Sequence, residues 1–248
     1  MDRLIYIAMT GAQQLLQQQA VSAHNLANAG TTGFKAETQA FRVAPVSGPG
    51  LPTRAYAVDT TTGADLTPGA LQSTGRDLDV AIEGEGFFAV QARDGTEAYT
   101  RAGSFALNAD GELTTRSGLT VLADSGPVVV PPDSKVSVGA DGTVSVVSAG
   151  QSSANVQVIA RLKLVNPPRT DITKGADGLF RTRGGNPAAA DPNVKVAAGS
   201  LEASNVNAVN AMVDMINLAR QFEMQMKLLQ NVESNDQRAT QILSSNPA

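Results

Sequence analysis

Four carboxylates crowd one short stretch of the chain, Asp77, Asp79, Glu83 and Glu85. Asp77 and Asp79 are two residues apart, which on a strand puts both on one face. Paired carboxylates can serve as the acid and base of a glycosidase, and oxygen donors of this kind suit Ca²⁺. A plainer account is available. Glu83-Gly84-Glu85-Gly86 reads as a turn whose glycines supply backbone angles closed to other residues. A polar strand edge running into that turn explains the acids without a site. His24 is the only histidine and there is no cysteine. These absences exclude thiolate nucleophiles, iron–sulfur clusters, Cys-ligated zinc and multi-His metal sites. A Ser-His-Asp triad could run only through His24, which reads instead as a polar residue beside a helix end. The expectation is therefore no catalytic residue, no metal site and no cofactor.

Composition narrows the remaining classes. In 248 residues, Lys and Arg number 19 and Asp and Glu 23, for a net charge of −4. No broad basic surface is available, so nucleic acid is not expected as a partner. Aromatics are 4% with no Trp, too few for a stacking cleft, while 42% hydrophobic residues suffice for a packed core. Binding and structural roles are left, with a carboxylate-based hydrolase of the cell wall as the enzymatic alternative.

The elements that must place these residues fall into four textures. From Leu4 to Phe34 no side chain is formally charged when His24 is neutral. The unbroken apolar run Leu4–Met9 is far short of the roughly 20 residues that a bilayer span requires. The glutamines that follow fit neither a span nor the cleavage region of a secretory signal peptide. The segment reads as an amphipathic helix with a seam of Ile5, Met9, Ala12, Leu16, Gln19, Ala23 and Leu26 at alternating steps of four and three. Its outer face carries uncharged amides, which suit a helix enclosed by neighbours. The helix should end near Asn28–Gly33. Gly30-Thr31-Thr32-Gly33 has the form of an RNA-gripping loop but lacks basic surroundings.

Residues 30–75 read as an extended connector, rich in Pro, Gly, Ser and Thr from residue 44 onward. Residues 76–183 read as antiparallel β structure. Leu78, Val80 and Ile82 alternate with polar or small residues, and Val136-Ser137-Val138 and Val144-Ser145-Val146 flank a turn as the clearest hairpin. Asp-Gly turn signals stand at Asp94, Asp110, Asp141 and Asp177. A return loop is expected over 184–200. A second helix follows within 201–248, capped by Ser204 or Asn205, with a seam of Ala208, Met212, Met215, Ala219, Phe222, Met226 and Leu229. The fold class is α+β, with the terminal helices paired as a coiled coil around a central all-β domain. Tyr6, Ile7, Val21, Val209, Val213, Ile216, Leu218 and Leu228 lie off the seams. Surplus apolar helix surface of this kind points to other subunits.

Three separated segments resemble one family. They are Asn25-Leu26-Ala27-Asn28-Ala29-Gly30-Thr31-Thr32-Gly33-Phe34-Lys35, the stretches Gly75–Phe88 and Tyr99–Phe105, and Gly199-Ser200-Leu201-Glu202-Ala203-Ser204-Asn205-Val206-Asn207. In order and type they resemble the axial proteins of the bacterial flagellum, the rod and hook group, with His24 where the group usually has Asn. The opening Met1–Tyr6 and the segment Leu218–Gln225 are most similar to proximal rod members. The resemblance implies a structural subunit of the drive shaft, not an enzyme, with distal rod or hook membership as the alternative. It implies that the terminal helices (1–29 and within 201–248) form an inner tube, with the β domain outside. The implied partners are further copies of this chain, other rod proteins and, in transit, the export apparatus. The implied location is the periplasmic rod of the basal body, reached without a cleaved signal peptide. The two seams are the expected subunit interface. A β-rich adhesin or tail fibre is the other non-enzymatic alternative.

Overall fold

The computed structural model describes residues 2–45, 55–148 and 156–244. The fold is α+β, with helices α1 (Asp2–Ala27) and α2 (Ala208–Ser244) flanking, in chain order, eighteen strands among the described residues. The strands are β1 (Glu37–Pro45), β2 (Ala55–Ala64), β3 (Leu71–Ser73), β4 (Val80–Glu83), β5 (Phe87–Gln91), β6 (Glu97–Thr100), β7 (Phe105–Leu107), β8 (Leu113–Thr115) and β9 (Thr120–Ala123). After them come β10 (Gly126–Pro127), β11 (Ser134–Val138), β12 (Thr143–Ser148), β13 (Gln157–Arg161), β14 (Leu164–Val165), β15 (Ile172–Lys174), β16 (Phe180–Thr182), β17 (Lys195–Ala198) and β18 (Ser200–Glu202). The chain divides into two units. A helical unit holds residues 1–27, 37–63 and 206–248, and a β unit holds 28–36 and 64–205.

In the helical unit α1 and α2 run antiparallel. The Gln225 amide donates to the Ala8 carbonyl at 3.0 Å near one end, and Val21 and Asn25 share a cleft with Asp214 and Asn217 towards the other. The cap of α2 is Asn207, whose Oδ1 accepts from the N–H groups of Val209 and Asn210 at 3.0 and 3.1 Å. Ser204 and Asn205 lie too early in the chain for that role. No helix among the described residues is long and apolar enough to cross a membrane.

The expected connector is not free of structure. β1 and β2 pair as a two-stranded sheet, and β3 pairs with β18. Thr, Val and aromatic residues on both sides of residues 46–54 outweigh the Pro and Gly between them. The prolines Pro49 and Pro52, on which the connector reading leaned, lie outside the described residues, as does 245–248 of the expected C-terminal helix. The expected return loop likewise holds β17, which pairs with β4 in the register Val196↔Ile82. The reason is in the side chains, since Val194 and Val196 fill the core that β4 faces.

In the β unit nine strands form one sheet, with the path β15-β16-β6-β5-β9-β8-β7 and two short strands off it. Alternation along β5 sends Phe88 and Val90 into a large cluster and Phe87 and Ala89 into a second one. Phe88 meets Phe105 edge-on with centroids 5.2 Å apart, and Phe87 meets Phe180 at 5.1 Å. This two-sided burial explains why the strand reads as a continuous apolar run. The hairpin of β11 and β12 has Val136 opposite Val146 and Val138 opposite Val144, all four buried.

Tyr99, fully enclosed in the second cluster, accepts from the Ala188 N–H at 2.6 Å and donates to Glu97 Oε1 at 3.0 Å. Burial pushes its hydroxyl up to about 12 from 10.0, with the Ala188 bond opposing. Between these values the native state keeps a proton that the unfolded chain releases. Stability therefore falls as pH rises through that window. Tyr99→Phe is expected to be less stable at neutral pH but to lose part of this alkaline slope. Urea midpoints of both proteins across the window test it, and parallel slopes refute the assignment.

Candidate functional site

The two places where the chain departs from an ordinary globular protein are the surface of the helix pair and a buried ion cluster in the β unit. In the pair, the most buried positions carry small side chains. Ala8, Ala12 and Ala211 are buried, and a Cβ on Gly11 would stand 3.1 Å from the Gln225 amide nitrogen. On α1 the inward positions run Ala8, Gly11, Leu15, Gln18, Ser22 and Asn25. On α2 they run Ala211, Met215, Leu218, Phe222, Gln225 and Leu229, all buried or half-buried.

Both inward stripes therefore sit one residue before much of the expected seams. Met9, Leu16, Ala23, Met212 and Met226 are exposed, whereas Ala12 is buried. Leu26, Ala208, Met215, Ala219, Phe222 and Leu229 are half-buried, and the side chain of Ile5 lies outside the described ones. Small side chains occupy the most buried positions, Ala8, Ala12 and Ala211, while Leu15, Met215, Leu218, Phe222 and Leu229 fill the rest of the inward stripes. On α2 there is an outward stripe of Val209, Met212, Val213 and Ile216, each 50–69% exposed, at the spacing i, i+3, i+4, i+7 of a helix face. On α1, Tyr6, Met9 and Leu16 are exposed as well.

The junction after α1 is pinned by Asn25. Its Nδ2 donates to the Glu37 carbonyl at 2.9 Å and its Oδ1 accepts from the Glu37 N–H at 2.8 Å, so one amide satisfies both backbone groups at the start of β1. His24 Nδ1 lies 3.1 Å from Glu37 Oε2, which gives the only histidine its place beside the helix end.

The β unit holds an ion cluster that sequence reading missed. Glu202 Oε1 accepts from Lys35 Nζ at 2.6 Å and from the Gly69 N–H at 2.8 Å, and its Oε2 accepts from Arg101 at 2.9 Å. Lys35 also donates to the Thr67 carbonyl at 2.7 Å and Arg101 to the Gly84 carbonyl at 2.7 Å, while the buried Arg101 Nε has no hydrogen-bond partner. All three side chains are at most 1% exposed. Burial pulls the Lys35 ammonium below its ordinary value, opposed by the Glu202 hydrogen bond and charge. Around the cluster the backbone closes up. The Gly33 N–H donates to the Glu202 carbonyl at 2.8 Å, and Asn205 joins the Ala36 N–H (2.7 Å) to the Asp65 carbonyl (2.8 Å). Gly33 adopts φ +69° with its Cα hydrogen against the Arg101 backbone, where a Cβ would lie 2.3 Å from the carbonyl carbon. The only sequence signal was that each charged residue stands inside a motif.

The carboxylates that opened the sequence reading do not converge. Asp79 is buried and accepts from Thr74 Oγ1 (2.8 Å) and Ser104 Oγ (3.2 Å), beside Arg76 at 3.3 Å. Asp77 faces Lys135 at 3.5 Å in an exposed pair, and Glu85 faces Arg169 at 2.9 Å in another. Among the described residues no group of three or more potential ligands could hold a metal ion.

Three family models match the chain. Residues 5–35 match the flagella basal body rod protein model. Residues 81–146 match the D1 domain of flagellar hook protein FlgE/F/G, and 197–242 the C-terminal model of the flagellar basal body rod FlgEFG protein. The flagellar basal-body rod protein FlgF of Escherichia coli K12 is 47% identical over 98% of this chain and 99% of its own length. The chain belongs to the flagellar basal-body rod proteins. FlgF of Salmonella typhimurium is 46% identical over the same shares, and FlgF of Caulobacter vibrioides is 34% identical over 98% of both. As a rod protein the chain is a structural subunit of the flagellar basal-body rod rather than an enzyme, and the hydrolase reading has no support. Each of the three matched rod-family segments supplies one member of the ion cluster, Lys35, Arg101 and Glu202 in turn.

Proposed function

We propose that this rod protein is a proximal rod subunit that polymerises helically through the outward faces of its helix pair and transmits torque for motility. The observation that carries the reading is the exposed stripe Val209, Met212, Val213 and Ile216 on α2. Apolar surface in that pattern is costly in water and is removed by burial against another chain. The neighbours are further copies of this chain and other rod proteins. Inward stripes at alternating steps of three and four support a coiled-coil pairing of α1 and α2. The pair forms the inner tube and the β unit lies outside it, in the periplasmic part of the basal body. The uncharged amide faces suit a wall that lines a passage. Passage through the export apparatus in an unfolded state, without a cleaved signal peptide, fits a chain that has no cysteine to cross-link.

The test is Ile216→Asp, expressed in a strain lacking the native gene. It places a charge where the reading requires an apolar contact, and that position is exposed in the single subunit, so folding is preserved. Export and circular dichroism should match the parent protein, while swimming and rod-containing basal bodies in electron micrographs should be lost. Wild-type swimming by that strain would falsify the interface.

A further inference from the structure

Four Asp-Gly turns in the β unit form a matched set. In each the glycine N–H donates to the carbonyl three residues earlier, at 2.9 Å for Gly95 and Gly142 and 3.1 Å for Gly111 and Gly178. The glycine φ is +81° in three of them and +78° at Gly178. All four aspartates are exposed. What differs is the hold on the carboxylate. Asp94 accepts from the Thr96 hydroxyl at 2.6 Å and the Thr96 N–H at 3.0 Å. Asp141 accepts from the Thr143 hydroxyl at 2.6 Å and the Thr143 N–H at 3.1 Å. Asp177 accepts from the Leu179 N–H at 3.2 Å and from both terminal nitrogens of Arg181. In the fourth turn the accepting role passes to Asn108, whose Oδ1 takes the N–H groups of Asp110 at 3.0 Å and Glu112 at 2.8 Å. The Asp110 carboxylate is left out of the turn.

We propose that Asp110 is a site of spontaneous isoaspartate formation and that the other three Asp-Gly bonds are protected by the partners of their carboxylates. The Gly111 amide nitrogen attacks Cγ of the protonated Asp110 carboxyl. A C–N bond forms, the C–O bond breaks, and the hydroxyl leaves with the amide proton as water. Water then opens the succinimide. Opening at the main-chain carbonyl leaves the backbone running through the β-carboxyl, with one extra methylene between β7 and β8. No enzyme or oxidant takes part. Two features slow the step at the held turns. The carboxylate must leave its hydrogen bonds before Cγ can swing towards the glycine nitrogen. The hydrogen bonds to Thr96, Thr143 and Arg181 also hold these carboxyls below the usual carboxylate range, which thins the reactive protonated form. Asp141 is the closest comparison for Asp110. In both turns the glycine carbonyl also accepts a backbone N–H at 2.8 Å, Val130 on Gly111 and Leu162 on Gly142.

The test is ageing of the folded full-length chain near neutral pH and 37 °C, followed by peptide mapping that separates aspartate from isoaspartate at each of the four positions. Isoaspartate at Asp110 should accumulate about tenfold faster than at Asp141, the factor that one charge-assisted hydrogen bond represents. Thr143→Ala should bring Asp141 towards the Asp110 rate. In denaturant the four rates should converge. Equal rates in the folded protein, no isoaspartate at Asp110, or the same excess at Asp110 in denaturant would each overturn the proposal.

Discussion

Glu202→Ala should be among the most damaging single substitutions in the chain. It leaves Lys35 and Arg101 buried without their counter-charge, and the Gly69 N–H without its acceptor. Removing one partner of a buried ion pair costs about 3–5 kcal/mol, because the remaining charge stays out of water. Set against a typical total of about 5–15 kcal/mol, that is a large share of the fold. For a chain of this size it corresponds to a melting temperature roughly 6–20 °C lower. Glu202→Gln keeps the shape and an acceptor oxygen but not the charge, and should fall between parent and alanine. The triple exchange Lys35→Met, Arg101→Met and Glu202→Leu removes all three charges and should recover much of the loss, as apolar replacements of buried ion clusters do. Thermal melts of the four proteins decide the matter. A Glu202→Ala protein that melts with the parent would show that the cluster does not hold the β unit together.

Gly103→Ala should have a comparable effect for a steric reason. A Cβ at Gly103 would sit 1.6 Å from the Val80 carbonyl oxygen and 3.1 Å from the Phe88 ring. That oxygen belongs to the backbone of β4, so it cannot rotate aside as a side chain can. The same substitution disturbs the bond from the Val80 N–H to the Gly103 carbonyl, now 2.9 Å. Val80, Phe88 and Phe105 lie in the large core cluster, so a shift of β4 loosens packing on both sides. A loss of about 3–5 kcal/mol is expected, in the range reserved for such core distortions. Gly118→Ala is the control. Gly118 has φ +82° but open space around its Cβ position. Only the left-handed backbone penalty of roughly 1–2 kcal/mol applies there. Chemical denaturation of both variants separates the terms. Equal losses would mean that backbone conformation, and not the contact with β4, limits Gly103.

Local periodicity made the helices, the β11–β12 hairpin and the buried run of β5 legible in the sequence. Of the expected seams, Ala12 is buried and Met215, Phe222 and Leu229 face inward, but Met9, Leu16 and Met212 look like core residues and are exposed, while Ala8 and Ala211 do not look so and are buried. Which set faces inward depends on the partner helix, and the pattern of a single helix does not encode its partner. β1 and β2 were hidden by the prolines and glycines between them. The ion cluster was beyond reach for a different reason. Lys35 and Glu202 are 167 residues apart, and a buried charge looks like a surface charge until its partner is known.

The closure between Gly33 and Glu202 has a further consequence. The Gly33 N–H and the Glu202 carbonyl are 2.8 Å apart, so the chain re-emerges from the β unit where it entered. The β-unit residues between them, 64–201, lie on a loop whose mouth is stapled shut. The span separating the two ends of that loop is independent of its contour length. Segments can be inserted into or deleted from turns remote from the mouth without altering the spacing there. One pair of helical arms can in this way carry β modules of different size.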